Sequence, residues 1–119
     1  MNKYAKMRRT NAIIKKKLKE MGFYDIVMFP HTRHFKDVFH LWDGVCKYKK
    51  EFSDNHFDLA WLQMKTGYAP EKDKQKMERF CSLSGSKGVI AEYIPYKEKY
   101  KKKKGSYIKH KIKITKIGF

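Results

Sequence analysis

Two cysteines in 119 residues, Cys46 and Cys81, cannot build a disulfide framework, which excludes the small secreted folds that staple a thin core. The simplest setting for such a chain is a reducing, cytoplasmic one. No apolar run approaches the ~20 residues that cross a bilayer, so no membrane segment is expected. The opening Met1-Asn2-Lys3-Tyr4-Ala5-Lys6 lacks the apolar centre of an export signal. Acids are scarce as well, twelve against twenty-nine Lys and Arg. No P-loop, glycine-rich dinucleotide turn or G-x-S-x-G elbow occurs, so no organic cofactor is expected. What the chain does have is a core: 41% hydrophobic and 15% aromatic residues at the length of one ordinary domain.

The formal charge is +17. A protein this basic repels itself, and the usual compensation is a polyanion, nucleic acid before an anionic membrane. Tyr96 to Phe119 holds ten lysines and one acid, a net +9, which leaves +8 for the first 95 residues. A solvated lysine tail, Lys101 to Lys104, therefore does not account for the whole excess. Nucleic acid is the expected partner.

Asn2 to Met21 reads as a helix, with Tyr4, Met7, Ile14, Leu18 and Met21 on one stripe, Asn11 interrupting it and Gly22 ending it. Tyr24 to Phe29 reads as a strand stopped by Pro30. His31 to Asp37 is a polar, basic loop, and Val38 to Tyr48 a second strand. Phe57 to Lys65 is a third strand, with Phe57, Leu59 and Trp61 on one face and Ala60, Leu62 and Met64 on the other. Apolar residues on both faces predict a covered sheet. Pro70, Glu71 and Asp73 open a second helix that turns Met77, Phe80 and Cys81 inward and stops near Ser84-Gly85. Gly88 to Ile94 is a fourth strand closed by Pro95. Tyr107 to Ile117 alternates Ile108, Ile112 and Ile114 with Lys109, Lys111 and Lys113, as an edge strand does. The order α-β-β-β-α-β-β predicts a small α/β sandwich in a single domain over 1–119, with a core at about 2–95 and a basic loop and strand at 96–119.

Gln63 and Lys65 project from one strand face about 7 Å apart, where two polar side chains interrupt Phe57, Leu59 and Trp61. Asp43 interrupts Phe39, Leu41 and Val45 in the same way. If the two strands are neighbours, an acid, an amide oxygen and an ammonium converge at one edge. A carboxylate with hard oxygen ligands suits Mg²⁺, and a lysine beside it can orient or deprotonate water. The competing reading makes Asp43-Gly44 a hairpin turn.

Asp43, a strand ending Gln63-x-Lys65, then a helix and a strand, resembles the PD-(D/E)XK nuclease superfamily in its D…QxK variant. The stretch Leu18-Lys19-Glu20-Met21-Gly22-Phe23 is similar to the first helix of archaeal Holliday-junction resolvases, and Lys36 to Asp43 is similar to members with an acid ahead of the metal-binding aspartate. The resemblance covers about residues 7 to 94. It implies a restriction-endonuclease-like fold, an αβββαβ core around a mixed sheet, with the C-terminal basic strand as an addition. It implies an Mg²⁺-dependent endonuclease, Mn²⁺ substituting, that acts on DNA as a homodimer, junction-resolving or restriction-like. Asp43 would be the central metal ligand, Gln63 a second ligand, Met64 a ligand through its main-chain carbonyl, and Lys65 the catalytic lysine. Gln63 stands where most members carry glutamate, and Asn11 near where many carry a first-helix acid. Both departures lower the negative charge around a cation.

Arg8 and Arg9 on the first helix, and Arg33, His34 and Lys36 in the loop before Asp43, are the expected phosphate contacts. His31-x-x-His34 with Cys46 or Cys81 could also be assembled into a zinc site, although the paired Cys-x-x-Cys half is missing. Trp42 and Trp61 read as core rather than as base-stacking platforms. Two alternatives to the enzyme stay open: a nuclease-like protein that binds nucleic acid without cutting, and a basic RNA- or chromatin-associated protein whose motif is accidental.

Overall fold

The computed structural model describes residues 3–29, 41–49 and 57–119. The protein is a mixed α/β domain: α1 (Lys3–Glu20), β1 (Phe23–Met28), β2 (Gly44–Lys49), β3 (Phe57–Thr66), α2 (Glu71–Ser84), β4 (Lys87–Lys99) and β5 (Ser106–Ile117). The strands form one sheet in the order β1-β2-β3-β4-β5. Every neighbouring pair is antiparallel except β3 and β4, which run parallel. A parallel pair needs a long crossover, and α2 supplies it.

Helix α1 buries Thr10, Ile14 and Leu18, one above another at four-residue spacing. The expected stripe passes through Asn11; the helix is instead turned so that Thr10 is buried and Asn11 half-buried. Gly22, at φ +95°, takes the left-handed conformation that ends the helix and starts β1. On this face of the sheet Ile14 and Leu18 meet Phe23, Cys46, Leu62 and Val89.

On the other face α2 turns Met77 and Cys81 into a second core with Trp42, Ile90 and Ile117, and Phe80 packs at its margin. Trp42 is fully buried and stacks on Trp61 with ring centroids 6.2 Å apart; Trp42 is a core residue, whereas Trp61 is partly buried against that core. Gly88 permits this packing, because a Cβ there would stand 2.6 Å from the Trp42 ring. Helix α2 lies over β4 and β5. The alternating faces of β3 are as expected, but their coverage is not. Ala60, Leu62 and Met64 are buried, whereas Phe57 and Leu59 remain about half exposed, because α2 does not extend over them. Among the described residues no helix is long and apolar enough to cross a membrane.

Two further boundaries differ from the sequence reading. The second strand begins at Gly44, not Val38: Leu41, Trp42 and Asp43 precede it, and 30–40 and 50–56 lie outside the described residues. Asp43-Gly44 is therefore no hairpin turn. Gly44, the first residue of β2, lets the strand approach β1, because a Cβ there would collide with the carbonyl of Val27. Nor does Pro95 end β4, which runs on to Lys99. Pairing with β3 stops at Thr66↔Tyr93, so among the described residues Pro95 lies where β4 has only β5 beside it, and no β3 carbonyl awaits its missing N–H.

Candidate active site

Asp43 is drawn into the sheet by three hydrogen bonds, although it precedes β2. Its backbone N–H donates to the Leu62 carbonyl at 2.9 Å, and its own carbonyl accepts from the Phe29 N–H at 2.7 Å. Its side-chain Oδ2 accepts from the Met64 N–H at 3.0 Å. The carboxylate of Asp43, a residue only 8% exposed, thus sits against the main chain at the middle of Gln63-Met64-Lys65. A strand residue's N–H and C=O point toward the same edge, so the Met64 carbonyl also faces the side on which Asp43 stands.

Alternation along β3 sends Met64 into the α1 core and turns Gln63 and Lys65 to the α2 face beside Trp61. Both are half-buried, and the Oε1 atom of Gln63 is enclosed. Helix α1, which carries Asn11, packs on the opposite face. Asp43 and the Met64 main-chain carbonyl thus share one edge of β3, and the amide oxygen of Gln63 lies on the strand's α2 face. These are hard oxygen donors of low total charge, a chemistry that fits a divalent cation such as Mg²⁺ when further oxygen ligands complete the shell. Among the described residues no three of His, Cys, Asp or Glu gather together.

The sequence reading missed Glu92. It lies on β4 opposite Lys65 in the parallel register, and it is fully buried. Its oxygens are committed: Oε2 accepts from the Ala69 N–H at 2.7 Å, and Oε1 is 3.2 Å from the Lys74 ammonium. Glu92 thus ties the loop after β3 and the first turns of α2 to β4, holding the end of the strand that bears Lys65. The available signal was one acid inside the apolar run Val89-Ile90-Ala91-Glu92-Tyr93-Ile94.

Arg33, His34 and Lys36, together with His31 and the side chain of Arg8, lie outside the described residues; Arg9 is exposed on α1. Of the zinc assembly only the two cysteines fall among the described residues. Cys46 and Cys81 are buried on opposite faces of the sheet. Burial pushes the Cys46 thiol up to about 11 and raises that of Cys81, so both rest as thiols near neutral pH in the metal-free protein. No family model, curated protein or solved structure matches the chain.

Proposed function

We propose that this protein is a metal-dependent DNA endonuclease with a restriction-endonuclease-like fold, acting as a homodimer whose two sites address two strands. The observation that carries this reading is the 3.0 Å bond from the Met64 N–H to the Asp43 carboxylate, which joins the acid to the Gln63-x-Lys65 strand. The α-β-β-β-α-β order and the parallel β3–β4 pair support it.

In this reading Asp43, Gln63 and the Met64 carbonyl would hold Mg²⁺, which when bound would supply Lewis-acid relief of charge on the phosphoryl group. Asp43 carries the single negative charge of the ligand set and orients it through its bond to Met64. Lys65, on the same face as Gln63, orients the attacking water and balances the charge that grows on the phosphate oxygens. The surrounding lysines bring the polyanion to this corner.

Supercoiled plasmid incubated with the protein and Mg²⁺ or Mn²⁺ becomes nicked, and EDTA abolishes the reaction. DNA binding without nicking in either metal overturns the enzymatic reading and leaves a non-cleaving binder.

Gln63 gives a sharper test of the ligand set. Its amide is neutral, so metal binds loosely without DNA, and Mn²⁺, less exacting in geometry, supports activity at lower concentration. Gln63→Glu adds a charge at nearly constant volume and tightens Mg²⁺ affinity of the DNA-free protein by about tenfold or more. Calorimetric titration reads the difference directly. Equal affinities mean that Gln63 does not touch the metal.

A further inference from the structure

Beyond Tyr93 the sheet narrows to a two-stranded ribbon. β3 pairs with β4 only as far as Thr66↔Tyr93, whereas β4 and β5 stay paired for six more rungs, from Ile94↔Lys111 to Lys99↔Ser106. At about 3.4 Å per residue the ribbon reaches roughly 20 Å past the last β3 pair. Its tip is closed by the Tyr100 N–H bonding the Gly105 carbonyl at 3.2 Å, and Lys101 to Lys104 are all exposed there.

The two sides of the arm differ. Alternation places Lys109, Lys111 and Lys113 on the face that carries Ile117 and Ile90 into the α2 core, with Tyr96 and Tyr107 among them. Glu98, the one acid here, holds Lys109 at 2.9 Å, and Tyr107 stacks against Tyr100 at 4.9 Å. The reverse side carries Pro95, Lys97, Lys99, exposed Ile108, and His110 stacked on Tyr93. The lysine–tyrosine side is also the side of the candidate site. Lys65 registers with Glu92, and Glu92 with Lys113, so the three occupy one rung of the sheet. Two strand spacings separate the lysines, about 10 Å.

We infer that this arm grips duplex DNA with its Lys109-Lys111-Lys113 side against the phosphates, and so presents a backbone phosphate to Lys65 and Asp43. The delivery rests on the nuclease reading; the grip does not. The occupant follows from chemistry. A two-stranded ribbon enters the major groove of B-DNA, about 12 Å wide, whereas the major groove of duplex RNA is too narrow for it. Lysines interleaved with tyrosines suit phosphates and sugars. The tip, Lys101 to Ser106, has no apolar side chain to enter a bilayer.

The test is fluorescence anisotropy on a labelled DNA duplex in EDTA, where no cleavage intervenes. The triple variant K109Q/K111Q/K113Q weakens binding by about tenfold or more and flattens the slope of log affinity against log salt by about 2.7, the loss of three phosphate contacts. The charge-matched K19Q/K97Q/K99Q, on α1 and the reverse side of the arm, weakens it by less than about threefold. Replacing Lys101 to Lys104 by serine, at a solvent tip with no part in the core, also weakens binding by about tenfold. Equal losses in the two triple variants overturn the inference, as does tighter binding to duplex RNA or to anionic vesicles than to DNA. If the arm variants lose binding but the wild type nicks nothing, the nuclease reading fails and the grip stands. If the wild type nicks and the arm variants bind normally, the arm assignment fails and the nuclease reading stands.

Discussion

Replacing Asp43 by asparagine is expected to lower Mg²⁺-dependent nicking by roughly 10³-fold or more, and Lys65→Ala to do the same, with duplex binding kept in both. Asparagine is the informative choice at position 43. The Asp43 carboxylate accepts the Met64 N–H, and alanine would orphan that buried donor at a cost of about 1–3 kcal/mol, confusing unfolding with lost chemistry. Asparagine keeps an oxygen for that bond and removes the charge. Lys65 is half-buried at the end of β3, so its truncation leaves the core intact. Nicking assays at saturating DNA, with circular dichroism to certify the fold, separate the two effects. Wild-type rates from either variant would remove these residues from the chemistry.

The largest effect on stability is expected at Lys74. Glu92 is fully buried and answered by the Ala69 N–H and the Lys74 ammonium, whose side chain is only 17% exposed. Lys74→Met leaves a buried carboxylate with one neutral donor, a change worth about 3–5 kcal/mol. For a domain of this length that lowers Tm by roughly 10–20 °C. Converting the acid as well, in K74M/E92Q, restores most of the loss, because the glutamine oxygen still accepts the Ala69 N–H and no charge remains buried. Thermal unfolding of the single and double variants measures both. A Lys74→Met protein within about 1 kcal/mol of wild type would show that the ammonium is not what balances Glu92. Because the pair secures the loop that follows Lys65, the single variant should also impair nicking before it unfolds.

The sequence by itself determined the kind and order of the elements. Four-residue spacing marked α1, Pro70 followed by acids opened α2, Gly22 and Gly85 closed the helices, and strict alternation assigned each side chain of β3 and β5 to a face. These are local effects, set by the geometry of a few consecutive residues, so they are legible without knowing what lies across the chain. Only the tertiary structure decided what each strand meets. Pro95 reads locally as a stop, yet β4 passes through it because β3 has already ended there. Asp43 reads locally as a strand residue or a turn, yet it stands ahead of β2, bonded to Leu62 and Met64 some twenty residues away. Glu92 reads as one acid in an apolar strand, and its meaning comes from Ala69 and Lys74 arriving with α2. The rung of Lys65, Glu92 and Lys113 follows from the parallel β3–β4 register and the antiparallel β4–β5 register together. Alternation tells which side of its own strand a residue occupies; partner and register come from the packing of whole layers, where the burial of both faces is settled at once.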